Sequence, residues 1–277
     1  MKNFKAGLTI IIAAGLAFGL GFLAWLYTGQ LTSAKAGIFS KTPLPVALVG
    51  GRALHFSDLL FRQRLAAEFA PEQSDAQNRA QAYAAAVSQT QTAIIAGRAG
   101  VSVGPKQLEA EFALQSNQPD FNSQLQNYGI TPAVFKYDII EPKLLLTNLQ
   151  VWFNSQRSLN PQTYATAGLL QSQIQSGGDM AGLAELYSQD QQSAQLGGDL
   201  GFIDPSALLP ELREPVASLK AGQFIVAPSR LGLHLLRAEA VSDNRVYLRQ
   251  ILLKPADFNA WLQTQKQSLK STALIKF

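Results

Sequence analysis

Tyr187-Ser188-Gln189-Asp190, Ser193-Ala194 and Gly197-Gly198-Asp199-Leu200-Gly201-Phe202 form the stretch on which the reading of this chain turns. Its glycines mark tight backbone turns. No Gly-Lys-Ser/Thr follows them, so the loop is not a phosphate-binding loop, and the chain has no Gly-x-Ser-x-Gly elbow. Asp190 and Asp199 could be paired as glycosidase acids, but isolated carboxylates beside turns are usually caps or solvated charges. Upstream, a helix over about 163–175 turns Leu169, Leu170 and Ile174 inward, Gly177-Gly178 breaks it, and a second helix covers about 180–187. Downstream, 223–226, 234–238 and 246–253 read as strands, with Ser242-Asp243-Asn244-Arg245 as the turn of a hairpin. This part of the chain is α+β.

Ahead of it, residues 46–155 read as mainly helical. Val46-Ala-Leu-Val49 is a short strand and Gly50-Gly51 a tight turn. Ser57-Asp58 caps a helix carrying Leu59, Leu60, Leu65 and Phe69 at helical spacing, which Pro71 ends. Further helices cover about 76–99 and 106–115. Thr131-Pro132 pairs a capping residue with proline at the first helical position. The helix it opens places Phe135, Ile139, Leu146, Leu149 and Phe153 on one face, with a kink expected at Pro142.

The N-terminal region is the most apolar. Residues 6–34 contain no charge, and Lys2 and Lys5 precede them. A helix needs about 20 apolar residues to cross the hydrocarbon core, so 6–28 reads as a single membrane span. The two lysines keep the N-terminus cytoplasmic and place the bulk outside the cytoplasm. A cleaved signal peptide competes, because Thr32-Ser33-Ala34-Lys35-Ala36 offers small residues, although signal cores run only about 7–15 residues. Gly15 and Gly19 match the small-xxx-small pattern of helix dimerisation, which points to a homodimer. The expected organisation is a tip and anchor over 1–34, a linker over 35–45 stiffened by Pro43 and Pro45, a helical domain over 46–158 and an α+β domain over 159–277.

Composition excludes several chemistries. With no cysteine, disulfides, thiolate catalysis and zinc-thiolate sites are ruled out together. The two histidines, His55 and His234, are too few for a multi-histidine metal site. The net charge of +4 includes Lys2 and Lys5, and the rest is too dispersed for a nucleic-acid footprint. Neither a metal nor a cofactor is expected.

The stretch quoted first, taken with Leu208, Leu219-Lys-Ala-Gly222 and Leu231-Gly-Leu-His-Leu-Leu236, resembles the parvulin (PpiC-like) family of peptidyl-prolyl cis-trans isomerases over residues 163–238. Val46-Ala-Leu-Val-Gly-Gly51, Ala99-Gly-Val-Ser-Val103 and Tyr128-Gly-Ile-Thr-Pro132 are similar to the N-terminal chaperone domain of SurA-like and PrsA-like foldases. The resemblance implies that Leu200, Leu208 and Leu212 line a proline pocket. Leucines replace the Met and Phe usual at the last two positions, making it shallower and without an aromatic wall. It further implies His234 on the last strand, the upstream hydroxyl of Ser229, and Asp190 with Gln191 near the family's polar Cys or Asp.

One departure stands out. Parvulins open on an Arg/Ser-His-Ile-Leu strand that sets a second histidine beside the first, and nothing like it precedes Thr163. The matching run comes at the end, as Leu248-Arg-Gln-Ile-Leu-Leu-Lys254. It is either a truncated second repeat or a first strand relocated to the C-terminus, where it would complete a small antiparallel sheet. Alternation then puts Gln250 and Leu248 on one side and Ile251 and Arg249 on the other. Gln250 stands where histidine is usual, and a neutral amide can hydrogen-bond but not titrate. The resemblance implies an anchored foldase that binds unfolded or nascent exported polypeptides and isomerises X-Pro bonds. The alternatives are a binding-only chaperone and a structural subunit of a membrane complex.

Overall fold

A computed structural model describes residues 20–276. Its strands are β1 (Pro45–Val49), β2 (Arg52–His55), β3 (Asp199–Ile203), β4 (Phe224–Ser229), β5 (Gly232–Ser242), β6 (Arg245–Leu253) and β7 (Ser271–Ala273). The chain divides into two compact units: one takes the residues up to 95, 112–138 and 265 onward, the other 96–111 and 139–264. The protein is α+β, as expected.

The membrane-spanning helix is not. Among the described residues no helix is long and apolar enough to cross a membrane, so the single-pass placement, with cytoplasmic N-terminus and extracytoplasmic bulk, does not stand. Residues 1–19, with Gly15 and Gly19, lie outside the described residues. The far end of the expected span has another use. Residues 20–27 are helical, and Leu26, 1% exposed, packs in one core with Phe39, Val46, Leu54, Phe56, Leu59, Ala86 and Ile275. The Tyr27 hydroxyl donates to the Pro45 carbonyl at 2.9 Å. Leu26 is thus removed from water by the protein itself, whereas Leu20, Phe22, Leu23 and Trp25 of the same helix stay exposed.

In that first unit β1 lies between β2 and β7 in an antiparallel sheet. Gly50 and Gly51, at φ 53° and 85°, make the left-handed turn between β1 and β2. Helix Ser33–Lys41 is capped by the Thr32 side chain. Phe121 packs edge-on against both Phe112 and Phe135. Thr131 caps its helix by accepting from Val134 N at 3.2 Å. A π-helical turn, Phe135–Ile140, ends just before helix Glu141–Ser155, whose first turn holds Pro142. A missing N–H costs little there. Leu149 and Phe153 are buried as expected, whereas Leu146 and Leu169 are exposed.

The second unit is built on an antiparallel sheet of order β3-β6-β5-β4. The C-terminal strand β6 is therefore interior, between β3 and the strand that carries His234, which is the slot of the relocated-strand reading. Ser242 pairs with Arg245 across Asp243 and Asn244, both at positive φ (49° and 61°), giving the two-residue hairpin that right-twisted strands favour. Residues alternate between two apolar layers. Leu233, Leu235, Ile251 and Leu253 meet Leu170, Ile174, Met180 and Ala184 of helices Pro161–Gln175 and Met180–Tyr187. Leu236, Ala238, Val246, Leu248 and Ala227 meet Leu212 and Val216 of helix Pro210–Ala217.

Candidate active site

Alternation puts Ser229 on the face of Ile225 and Ala227, His234 on that of Leu236 and Ala238, and Gln250 on that of Val246 and Leu248. Three polar residues of three adjacent strands thus share the apolar face beneath helix Pro210–Ala217. All are buried: Ser229 at 0%, His234 at 4% and Gln250 at 8% exposure. Asp190, just ahead of helix Gln191–Ala194, completes a continuous chain of hydrogen bonds. His234 Nε2 lies 2.7 Å from Ser229 Oγ and its Nδ1 3.2 Å from Gln250 Oε1. Gln250 Nε2 donates to Asp190 Oδ2 at 2.6 Å and to Ser193 Oγ at 3.2 Å, and the Ser193 hydroxyl donates to Asp190 Oδ2 at 2.7 Å.

The direction of this chain follows from its acidic end. A carboxylate only accepts, so the Gln250 amide nitrogen faces Asp190 and its oxygen faces the imidazole. Nδ1 then carries the proton, and Nε2 accepts from the Ser229 hydroxyl, whose oxygen also accepts from Leu231 N at 3.0 Å. One neutral tautomer satisfies every partner. Burial pushes the imidazole below its ordinary pKa, opposed by the Gln250 hydrogen bond and by the charges of Glu211 and Asp190.

Leu212 is buried on the same face, with Leu200 and Leu208 partly buried against its cluster. Leu209 and Ile225 join them there. Gln191 is exposed at the start of its short helix, and none of the site's hydrogen bonds includes its side chain. The carboxylates of Asp190 and Asp199 are committed separately. Asp199 accepts from Tyr247 Oη at 2.6 Å and from Gly201 N at 2.8 Å, which hold it below the usual carboxylate range.

Three residues escaped the sequence reading. Ser193 was visible only as part of a motif. Asn154, 1% exposed, donates through Nδ2 to the Ser229 carbonyl at 2.7 Å. Glu211 Oε1 accepts from Arg230 N at 2.8 Å. No spacing rule connects positions so far apart in sequence. Among the described residues no group of three or more His, Asp or Glu is placed to hold a metal ion.

Residues 146–240 match the family described as Rotamase, PPIC-type PPIASE domain. The chain is 34% identical over 122 residues to the chaperone SurA of Pseudomonas fluorescens Pf-5, covering 42% of this chain and 29% of that protein. It is 36% identical over 75 residues to the foldase protein PrsA of Oceanobacillus iheyensis, covering 27% of this chain and 25% of that one. It therefore spans under a third of the length of these curated relatives. A crystal structure of the peptidylprolyl isomerase PrsA from Bacillus anthracis aligns over 66% of this chain and 84% of its own at 19% identity, with a TM-score of 0.25. The parvulin resemblance read from the glycine-rich stretch is thus confirmed, and the family match stops before β6 begins at Arg245.

Proposed function

We propose, on the premise that this chain carries a PPIC-type (parvulin) peptidyl-prolyl isomerase domain, that it binds unfolded, proline-containing polypeptides and catalyses rotation about their X-Pro bonds. The observation that supports this best is the shared face of the sheet. The buried residues Gln250, His234 and Ser229, joined by hydrogen bonds to half-buried Asp190, lie on the same face as the apolar side chains Leu200, Leu208 and Leu212.

Prolyl isomerisation breaks no covalent bond. Its barrier, about 18–20 kcal/mol, is the loss of amide resonance, and uncatalysed exchange takes tens of seconds or more. A catalyst has to seat the proline ring and favour the twisted amide over the planar one. In this reading Leu200, Leu208 and Leu212 take the ring, and His234, neutral and held at both nitrogens, presents a fixed dipole to the amide. Ser229 and Gln250 keep that imidazole in one tautomer and one orientation, so no reorganisation is needed as the amide twists. Asp190 sets the direction of the network without exchanging a proton with substrate.

Gln250 in place of the usual histidine favours a second reading, client binding without turnover. The amide nevertheless gives the imidazole Nδ1–H the acceptor it requires, which supports the catalytic reading. Exchange spectroscopy on short X-Pro peptides with the full chain decides between them. Catalysed exchange that His234→Ala abolishes is the expected result. Peptide binding with exchange no faster than in buffer would leave a binding module only.

A further inference from the structure

The turn between β4 and β5 is held in place from outside the sheet. Ser229 ends β4 and Gly232 opens β5, so Ser229, Arg230 and Leu231 determine where the Ser229 hydroxyl points, and that hydroxyl holds His234 Nε2 at 2.7 Å. Within the turn, Leu231 N donates to Ser229 Oγ at 3.0 Å. From outside, Arg230 N donates to Glu211 Oε1 at 2.8 Å. Glu211 belongs to helix Pro210–Ala217, whose next residue, Leu212, is the most buried of the three leucines assigned to the pocket. One carboxylate oxygen thus ties the helix that covers the pocket to the turn that orients the imidazole.

We propose that Glu211 is a positioning residue of the isomerase site, fixing the Ser229–His234 pair relative to the pocket helix through its hydrogen bond to Arg230 N. The inference rests on the catalytic reading above. Its physical basis is that a carboxylate on a backbone N–H makes a charge-assisted, short and directional bond. Without it the turn keeps its internal Leu231–Ser229 bond and the Asn154 bond to the Ser229 carbonyl, but it loses its tie to the pocket helix, and with that tie the fixed bearing of the hydroxyl relative to the pocket. Glu211 touches neither the imidazole nor the leucine cluster through this bond, so its loss acts on the orientation of the site and leaves the pocket walls standing.

Two readouts test the proposal on the full chain: exchange kinetics on a short X-Pro peptide, and the imidazole ¹⁵N shifts. With only two histidines, a His55→Gln background leaves His234 as the single imidazole signal. Misplacement on the scale of 1 Å costs up to about a hundredfold in rate, so Glu211→Ala is expected to lower kcat about ten- to a hundredfold. KM should change little, because an interaction that serves the transition state alone leaves ground-state binding intact. The ¹⁵N shifts should move from a single Nδ1–H tautomer towards a mixture. Glu211→Gln keeps an oxygen acceptor for Arg230 N without the charge and is expected to restore both readouts. Glu214→Ala, exposed on the same helix, should alter neither. Unchanged ¹⁵N shifts in Glu211→Ala overturn the proposal, as does a Gln variant that behaves like Ala, since charge rather than the tether would then be at work. Should the wild type itself show no turnover, the catalytic reading fails, while the ¹⁵N comparison alone still upholds or refutes the tether.

Discussion

Gln250, 8% exposed, takes three hydrogen bonds: one accepted from His234 Nδ1 and two donated, to Asp190 and Ser193. Gln250→Leu, close in volume, would leave an imidazole N–H and a carboxylate oxygen facing an apolar group. An unsatisfied buried polar group costs about 1–3 kcal/mol, so urea unfolding should show a loss of that size together with a fall in isomerase rate. A wild-type midpoint for this variant would mean the network carries no stability. Gln250→His keeps one donor and one acceptor in the ring and is expected to hold or modestly raise turnover. His234 supplies the pH dependence. Its folded pKa lies below the ordinary 6.5, chiefly through burial, so in the window below that value the unfolded chain binds the extra proton. Stability should therefore fall as pH drops from about 6.5 towards the folded pKa, with no contribution from this group above it. Unfolding free energies of wild type and His234→Gln, compared between pH 7.5 and 5, isolate the effect. Equal slopes in the two proteins would show that the imidazole is not held neutral. At this scale His234, Ser229, Gln250 and Asp190 were readable from family likeness and strand alternation. Asn154 and Glu211 were not, because their bonds run to backbone atoms of a turn, which no side-chain pattern announces.

The element on which the site depends is β6, and its position depends on Gly198. Gln250 N donates to Gly198 O at 2.8 Å. A Cβ on Gly198 would stand 2.2 Å from Gln250 O and 2.8 Å from Ala184 Cβ, at a backbone φ of 77° that only glycine adopts easily. The glycine-rich stretch that opened the sequence reading is thus a docking point for the strand carrying Gln250, and its purpose is close approach of two backbones. Gly198→Ala should cost about 1–3 kcal/mol from the strained backbone alone, with more from the clash, and should displace Gln250 from His234. Gly222→Ala makes the control. Gly222 also has positive φ, 80°, but an added Cβ there meets nothing within 4 Å, so it should show the strain without the loss of turnover. Equal turnover in the two variants would count against β6 being seated by Gly198. The hairpin of β5 and β6 was legible because Asp243-Asn244 tolerates the two left-handed residues such a turn demands. The slot taken by β6 was not decided by its residues, since a strand buried on both faces reads alike whether it closes one sheet or begins another. The π-turn before Pro142 left no sequence signal beyond the proline.

For the molecule as a whole, chain order and spatial order part company at the C-terminus. After β6 the chain first serves the second unit, where Phe258 and Trp261 pack with Phe153. It then serves the first, where β7 pairs with β1 and Leu269 and Ile275 are buried. The same non-locality decides the place of Leu26, at the far end of the expected span. Hydropathy records that side chains such as Leu26 avoid water. It does not say whether lipid or Ile275, at the other end of the sequence, removes them from it. The two units can therefore be set against each other by a truncation after Gln267. The site lies wholly in the second unit, whose sheet and aromatic cluster end before that point. The first unit would lose two buried aliphatic side chains, the β7 edge of its sheet and the bond from Gln91 Nε2 to the Leu269 carbonyl. Emptying a buried Leu or Ile position costs about 2–5 kcal/mol, so the first unit should melt earlier, as a separate transition ahead of the second. In a Trp25→Phe background, which removes the one tryptophan of the first unit, fluorescence follows the second unit through Trp152 and Trp261, both in its aromatic cluster. The expected outcome is an early calorimetric transition that this fluorescence does not register, with wild-type turnover on short X-Pro peptides below the second transition. If turnover instead falls with the first transition, the site requires the first unit's fold for catalysis itself.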